Sequence, residues 1–177
     1  GVKILLASLR SLADAPWSLS ILGDGPHCEA IQRSINQFGL QERVALLGHQ
    51  PNHRVREVLE YADLFAFPSA IDGWGAVVNE ALMAGVPVIC SDWCGASSLI
   101  RPGWNGDVFR SGSVDDLARA LRTWVGRGKL PPGQREAIRG WSHCIAGPAI
   151  ARYVLNVAAF VDGGDNARPT PPWTMAN

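Results

Sequence analysis

Two carboxylates, Asp72 and Glu80, are separated by seven residues in a stretch that opens Pro68-Ser69-Ala70-Ile71-Asp72-Gly73-Trp74-Gly75-Ala76-Val77 and closes at Gly85. Read physically, this is strand, glycine loop, short helix. Gly73 and Gly75 let backbone amides come close to a ligand and can adopt positive φ where the loop requires it. A helix beginning near Ala76 aims its unpaired N–H groups and the positive end of its dipole back at that loop. Such a helix start receives an anion, a diphosphate for example, with about 0.3–1 kcal/mol of stabilisation and about 2 kcal/mol when partly buried. Carboxylates would repel the phosphates themselves. They fit the hydroxyl groups on either side, which they accept in charge-assisted hydrogen bonds. Each residue also has a plainer reading: Asp72 as a turn residue bonding its own backbone, Glu80 as a solvated helix carboxylate, the glycines as turn formers.

Elements on either side must hold this loop. Apolar periodicity alternates between helix and strand along the chain, the pattern of a parallel sheet covered on both faces. Residues 2–13 read as a helix and 17–23 as a short strand ending in the turn Gly23-Asp24-Gly25-Pro26. A helix over 27–38 stops at Gly39; a strand follows at 43–48, then a helix over 53–62 with Asn52 as its N-cap. Residues 63–69 form a strand closed by Pro68, 76–84 the helix after the glycine loop, and 86–91 a nearly all-apolar strand. A last short strand is expected at 107–109. The helix over 113–126 carries Ser113 and Asp116 at the positions of a capping box. Two closing helices, 132–142 and 148–161, complete a domain over 1–161. The Gly/Pro-rich stretch 162–177 is expected to be disordered or artificially appended.

The words around the two carboxylates, "PS…DGWG…NEALMAGVPVICSD", and the spacing Asp72-x7-Glu80 resemble the acidic motif of retaining glycosyltransferases of family 4. "ILGDGP" at 21–26 and "VALLGH" at 44–49 are similar to two earlier landmarks of the same domain, in order. The resemblance implies the C-terminal half of a GT-B glycosyltransferase, with an α/β, Rossmann-like parallel sheet and helices on both faces. It implies that Asp72 holds donor-sugar hydroxyls and Glu80 the ribose. Amides of Gly73, Trp74 and Gly75, with Ala76 and Val77 at the helix start, would meet the diphosphate and sugar. Gly23 and Gly25 would line the nucleotide side, and His49 and Gln50 would lie near the base. The implied partner is a nucleoside-diphosphate sugar, with a UDP-, GDP- or ADP-linked hexose equally open; neither a metal ion nor an organic cofactor is implied. Two departures stand out. Asp72 occupies a position where the family usually has Glu, and "CGASSLI" at 94–100 lacks the usual Gly-Gly and following Glu.

Gly1 stands where an initiator Met would be, and a helical pattern begins at once. The expectation is therefore a fragment lacking its first strand, the Arg and Lys that the family sets against the diphosphate, and the N-terminal acceptor-binding domain. Such a half-cleft would bind donor weakly and be inactive alone. The rival readings are a binding module that pairs with a separate chain and half of a sugar-nucleotide epimerase. A dinucleotide-binding dehydrogenase would need a GxGxxG fingerprint that is missing here.

Composition narrows the setting. With 16 basic and 16 acidic residues, the balanced charge gives no pull toward nucleic acid. Four cysteines without a CxxC pair read as free thiols in a reducing, cytoplasmic setting. No run approaches the apolar length of a membrane span, although peripheral association of a full-length protein at the inner membrane face is compatible. The tryptophans at 17, 93, 104, 124 and 141 read as packing residues, whereas Trp74 faces the expected cleft.

Overall fold

The computed structural model describes residues 1–163 and 167–175. Helix α1 (Val2–Leu9) tightens into a 3₁₀ turn at Arg10–Leu12 and leads to β1 (Leu19–Leu22), α2 (Cys28–Gln37) and β2 (Val44–Gly48). Next come α3 (Asn52–Tyr61), β3 (Phe65–Phe67), α4 (Ala76–Met83), β4 (Val88–Ser91) and β5 (Gly106–Phe109). The chain closes with α5 (Val114–Arg127), α6 (Pro132–Ser142), α7 (Gly147–Val161) and α8 (Pro172–Met175). All strand pairs are parallel, as helical crossovers demand. The α/β class with helices on both faces is as expected, but the strands form two sheets, β1-β2 and β3-β4-β5.

Strand β4 is the centre of the core. All four of its residues are buried, and alternation sends them to opposite faces. Ile89 packs with Leu5 and Leu9 of α1 and with Leu117, Leu121 and Trp124 of α5. Val88 and Cys90 join Leu59 of α3, Val78 and Leu82 of α4, and Ile138 and Trp141 of α6. Each such side chain contributes about 1.5–3 kcal/mol on burial. A separate cluster, Leu6, Ile35, Leu40 and Val44, fastens α1 and α2 to the β1-β2 sheet.

Several boundaries differ from the sequence reading for local reasons. Pro51, in extended backbone, is the N-cap of α3, and Asn52 is its first helical residue. The capping box of α5 forms by half: Ser113 Oγ accepts from Asp116 N at 3.2 Å, while the Asp116 carboxylate turns away to accept from Arg110 N at 2.8 Å. The stretch Pro132–Val161 is more apolar than the sequence reading allowed. Its best 18-residue window has a mean hydropathy of 1.6, enough by length and composition for a membrane span, and only 6% of that window is buried. It is not one rod, because the extended backbone at Ala146 (φ −76°, ψ 158°) separates α7 from the 3₁₀ turn His143–Ile145. Of the expected tail, residues 164–166 and 176–177 lie outside the described residues. Helix α8 is ordered against the domain: Trp173 sits edge-on to Trp74 and to Tyr153, with ring centroids 6.2 and 5.8 Å apart. Arg101 Nη2 donates to the Trp173 carbonyl at 3.3 Å.

Candidate functional site

The loops that follow β1, β2, β3 and β4 leave the carboxyl ends of parallel strands, where open α/β sheets bind ligands. The loop after β3 is the most tightly held. Ser91 Oγ, at the end of β4, donates to Ser69 O at 2.6 Å, and Ser111 Oγ donates to Ala70 O at 3.0 Å. Asp72 N donates to Trp93 O at 3.0 Å, and Gly95 N donates to Asp72 O at 3.2 Å, so the β3 and β4 loops continue side by side beyond their strands. Contact is close enough to demand glycine. Gly75 has φ +86°, and a Cβ there would lie 2.6 Å from Cys94 Sγ and 3.1 Å from the Phe67 ring. A Cβ on Gly95 would overlap the Gly73 carbonyl.

Gly75 is the N-cap of α4, and no side chain among the described residues caps that helix. The first-turn amides at Ala76 and Val77 thus lie at an uncapped helix start, a type of position that can receive an anion. The Asp72 carboxylate is partly occupied: its Oδ1 accepts from Trp74 N at 3.0 Å. This is the turn role, and it leaves Oδ2 for a ligand. Glu80 is exposed, and its side chain has no hydrogen-bond or ion-pair partner among the described residues. Trp74 Nε1 donates to Asn79 Oδ1 at 3.0 Å, which lays the ring along α4 toward Trp173.

The loops after β1 and β2 are tied by one backbone bond between them and by local side-chain bonds. Gly23, at φ +123°, donates its N–H to Gly48 O at 2.8 Å. Asp24 Oδ1 accepts from Gly25 N at 2.7 Å and from Cys28 Sγ at 3.3 Å. The Gly25 N–H bond, and after it the Cys28 thiol, hold the Asp24 carboxyl below the ordinary carboxylate range. Gln50 Nε2 folds back onto Leu47 O at 2.6 Å.

One cavity of about 1460 Å³ draws Gly23, His49, Gln50 and Val77 into a common wall, together with Ser69. Gly25, Asp72, Gly73, Trp74, Gly75, Ala76 and Glu80 lie outside that wall. The sequence reading missed Cys94, Gly95 and Asn79, which position the glycine loop. The sequence reads Cys94 only as a free thiol. It is buried, and its Sγ also donates to Trp74 O at 3.1 Å. Burial raises its thiol pKa and pushes that of Cys90 up to about 12, so both are neutral thiols near pH 7. The one signal was a glycine following Cys94 opposite a glycine loop. Trp93, expected to pack, is instead 62% exposed beside Asp72, because the bridge to Asp72 uses its carbonyl and leaves the ring outward.

These features define a doubly wound α/β domain in which the loop after β3, braced by the loop after β4, opens into an uncapped helix start. The chain belongs to the glycosyl transferases group 1 family, whose profile matches residues 1–141. It is 33% identical over 108 residues to the lipopolysaccharide 1,6-galactosyltransferase of Salmonella typhimurium, covering 59% of this chain and 30% of that enzyme. The apo form of the lipopolysaccharide outer core galactosyltransferase WaaB superposes with a TM-score of 0.76 at 27% identity, covering 91% of this chain and 45% of WaaB. Anabaena HepE in complex with UDP-glucose shares the fold at 23% identity, with a TM-score of 0.68 over 90% of this chain and 44% of HepE. The chain therefore spans less than half the length of these proteins.

Proposed function

We propose that this chain is the donor-binding half of a retaining family 4 glycosyltransferase, which moves a hexosyl group from a nucleoside-diphosphate sugar to a glycan or lipid-linked acceptor. The reading is carried by one observation: a glycine loop, held rigid by the neighbouring loop, opens into an uncapped helix with Glu80 unpaired one turn on. The amides of Gly73, Gly75, Ala76 and Val77 would receive the diphosphate, while that of Trp74 is held by Asp72 Oδ1, and the α4 dipole would stabilise the charge developing on it as the sugar leaves. Asp72, through Oδ2, would accept sugar hydroxyls, and Glu80 those of the ribose. Gly23, Gly25, His49 and Gln50 would enclose the nucleoside. HepE, which shares the fold, is seen with UDP-glucose, in keeping with a nucleotide-sugar donor. In this reading the acceptor is held by a further domain, the chain alone is inactive, and the whole protein works in the cytoplasm at the inner membrane face.

Ligand-observed NMR with UDP, GDP, ADP and their hexose conjugates at millimolar concentration tests the assignment. Saturation should reach the ribose protons of one nucleotide, and Glu80→Ala should weaken binding about 10- to 100-fold, the loss of a charge-assisted hydrogen bond. Undiminished binding by the variant would remove Glu80 from the site. Absence of ribose saturation with every nucleotide would remove the donor site itself.

A further inference from the structure

Trp74, in the middle of the glycine loop, has its backbone fixed by its neighbours. Its carbonyl accepts from Ala96 N at 2.6 Å and from Cys94 Sγ at 3.1 Å, and its N–H is held by Asp72 Oδ1 at 3.0 Å. None of these bonds reaches the ring. The indole is placed by two other contacts: Nε1 donates to Asn79 Oδ1 on α4 at 3.0 Å, and the ring meets Trp173 of α8 edge-on, with 6.2 Å between centroids. Helices α7 and α8 lie beyond residues 1–141, the stretch that the family profile matches, so family membership does not account for the second contact.

Proline stiffens the segment that carries Trp173. Pro169, Pro171 and Pro172 each lock φ and remove a donor, and Pro172 opens α8, the position where proline suits a helix. Thr174 closes the turn, donating its N–H and its Oγ1 to Pro171 O at 3.0 and 2.7 Å. A chain already restricted in this way loses less entropy on docking. The turn is then anchored on three sides. Trp173 packs on the larger core cluster, its ring meets Tyr153 of α7 edge-on at 5.8 Å, and its carbonyl accepts from Arg101 Nη2 at 3.3 Å. Trp173 is thus a fixed wall for the ring beside it. Trp74 itself is 40% exposed, and without that wall its indole would keep one hydrogen bond, to Asn79, which water can replace.

The place where the indole is held matters for the loop. Asn79 precedes Glu80 and lies one turn beyond the start of α4. We propose that Trp173 is a positioning residue of the candidate donor site: acting through Trp74, it keeps the indole against α4, clear of the amides of Ala76 and Val77, and so sets one wall of the site. That effect on the donor rests on the donor-binding function proposed for this chain; the bracing of the indole does not. A ring free to swing toward the helix start would occupy it part of the time, and the donor would bind only the fraction of molecules in which the start is clear.

The Trp74 indole N–H, identified in the ¹⁵N-labelled chain by its absence from Trp74→Phe, reports the bracing without any nucleotide. Its exchange with water should speed up about 10-fold in Trp173→Ala, as local opening becomes easier. In Trp173→Phe, which keeps a ring in edge contact, it should return to within about twofold of the parent chain. The Trp17 indole, which donates to Leu12 O at 2.8 Å beside β1, should not change. Unaltered Trp74 exchange in Trp173→Ala would overturn the proposal, and so would acceleration shared by Trp17, the mark of a general loosening. Titration by ligand-observed NMR then reads the site. The nucleotide whose ribose is saturated should bind Trp173→Ala about 10-fold more weakly and Trp173→Phe as the parent does. Undiminished affinity in a Trp173→Ala chain with a loosened indole would overturn the role of Trp173 at the donor. Binding of no nucleotide by the parent chain would remove the donor assignment and the wall with it, while the indole exchange still decides the bracing.

Discussion

The β3-β4-β5 half and the β1-β2 half are built from the same strand–helix units, yet they hold their loops by different means. In the first, the ties join residues far apart in sequence: Ser91 to Ser69, Ser111 to Ala70, and Gly95 to Asp72. In the second the side-chain ties are short-range, Asp24 to Gly25 and Cys28, and Gln50 to Leu47, and a backbone bond from Gly23 N to Gly48 O joins the two loops. The source of the difference is β4, which is buried along its whole length and holds a strand on each side. Strand β1 has a partner on one side only. Preorganisation at the glycine loop is thus a property of the three-stranded half, and the loops after β1 and β2 lean on strands paired on one side only.

Glycine substitutions can break this contrast. Gly106→Ala should have the largest effect, because Gly106 has φ +154° and a Cβ there would overlap the Val88 carbonyl on the adjacent strand. Overpacking against backbone and the strained φ together cost about 4 kcal/mol, measured as a fall in the urea midpoint at constant m. Gly75→Ala should follow at about 2–3 kcal/mol, since the atoms it meets, Cys94 Sγ and the Phe67 ring, can shift a little. It should also abolish ribose saturation in the NMR assay by displacing the start of α4. Gly48→Ala in the other half shares the left-handed conformation, φ +65°, but meets nothing within 4 Å. Its cost should be the backbone term alone, about 1 kcal/mol. If Gly48→Ala destabilised as much as Gly75→Ala, the two halves would be equally packed and the contrast would fail.

The smallest effect concerns pH. The Arg110 N–H, and after it the Arg119 charge, hold the Asp116 carboxyl below its ordinary value of 3.8. A carboxyl lowered in the folded state stabilises fully above its unfolded pKa and loses that contribution as pH falls through the folded one. Stability should therefore decline from about pH 4 downward, and Asp116→Asn should flatten that decline slightly. Thermal melts between pH 6 and 2 read the difference. An unchanged acid limb in the variant would show that Asp116 gives nothing to the closing of β5 onto α5.

Much of this was legible along the chain. Apolar spacing marked each major helix and strand, Ser113 announced the start of α5, and the glycines at 73 and 75 marked the loop that opens α4. These signals are local: a period of two or of about 3.6 residues, a capping side chain, a backbone angle only glycine adopts easily. The pattern was weaker where a neighbour decides. Asn52 looked like a cap, but Pro51 already held the extended angle. Asp116 looked like the reciprocal half of a capping box, but Arg110 N lay closer to hand.

Sequence by itself determined the alternation of helix and strand, the parallel sense of pairing that follows from it, and the residues with the right chemistry for an anion and its flanking hydroxyls. Tertiary structure alone decided that the strands split into two sheets, that Cys94 and Gly95 brace the glycine loop, and that Trp74 turns toward Trp173. It also decided that one Asp72 oxygen is already engaged. The reason is physical. A periodic pattern states which face of an element is apolar, whereas the cover an edge or loop receives depends on distant segments whose contact no local pattern records.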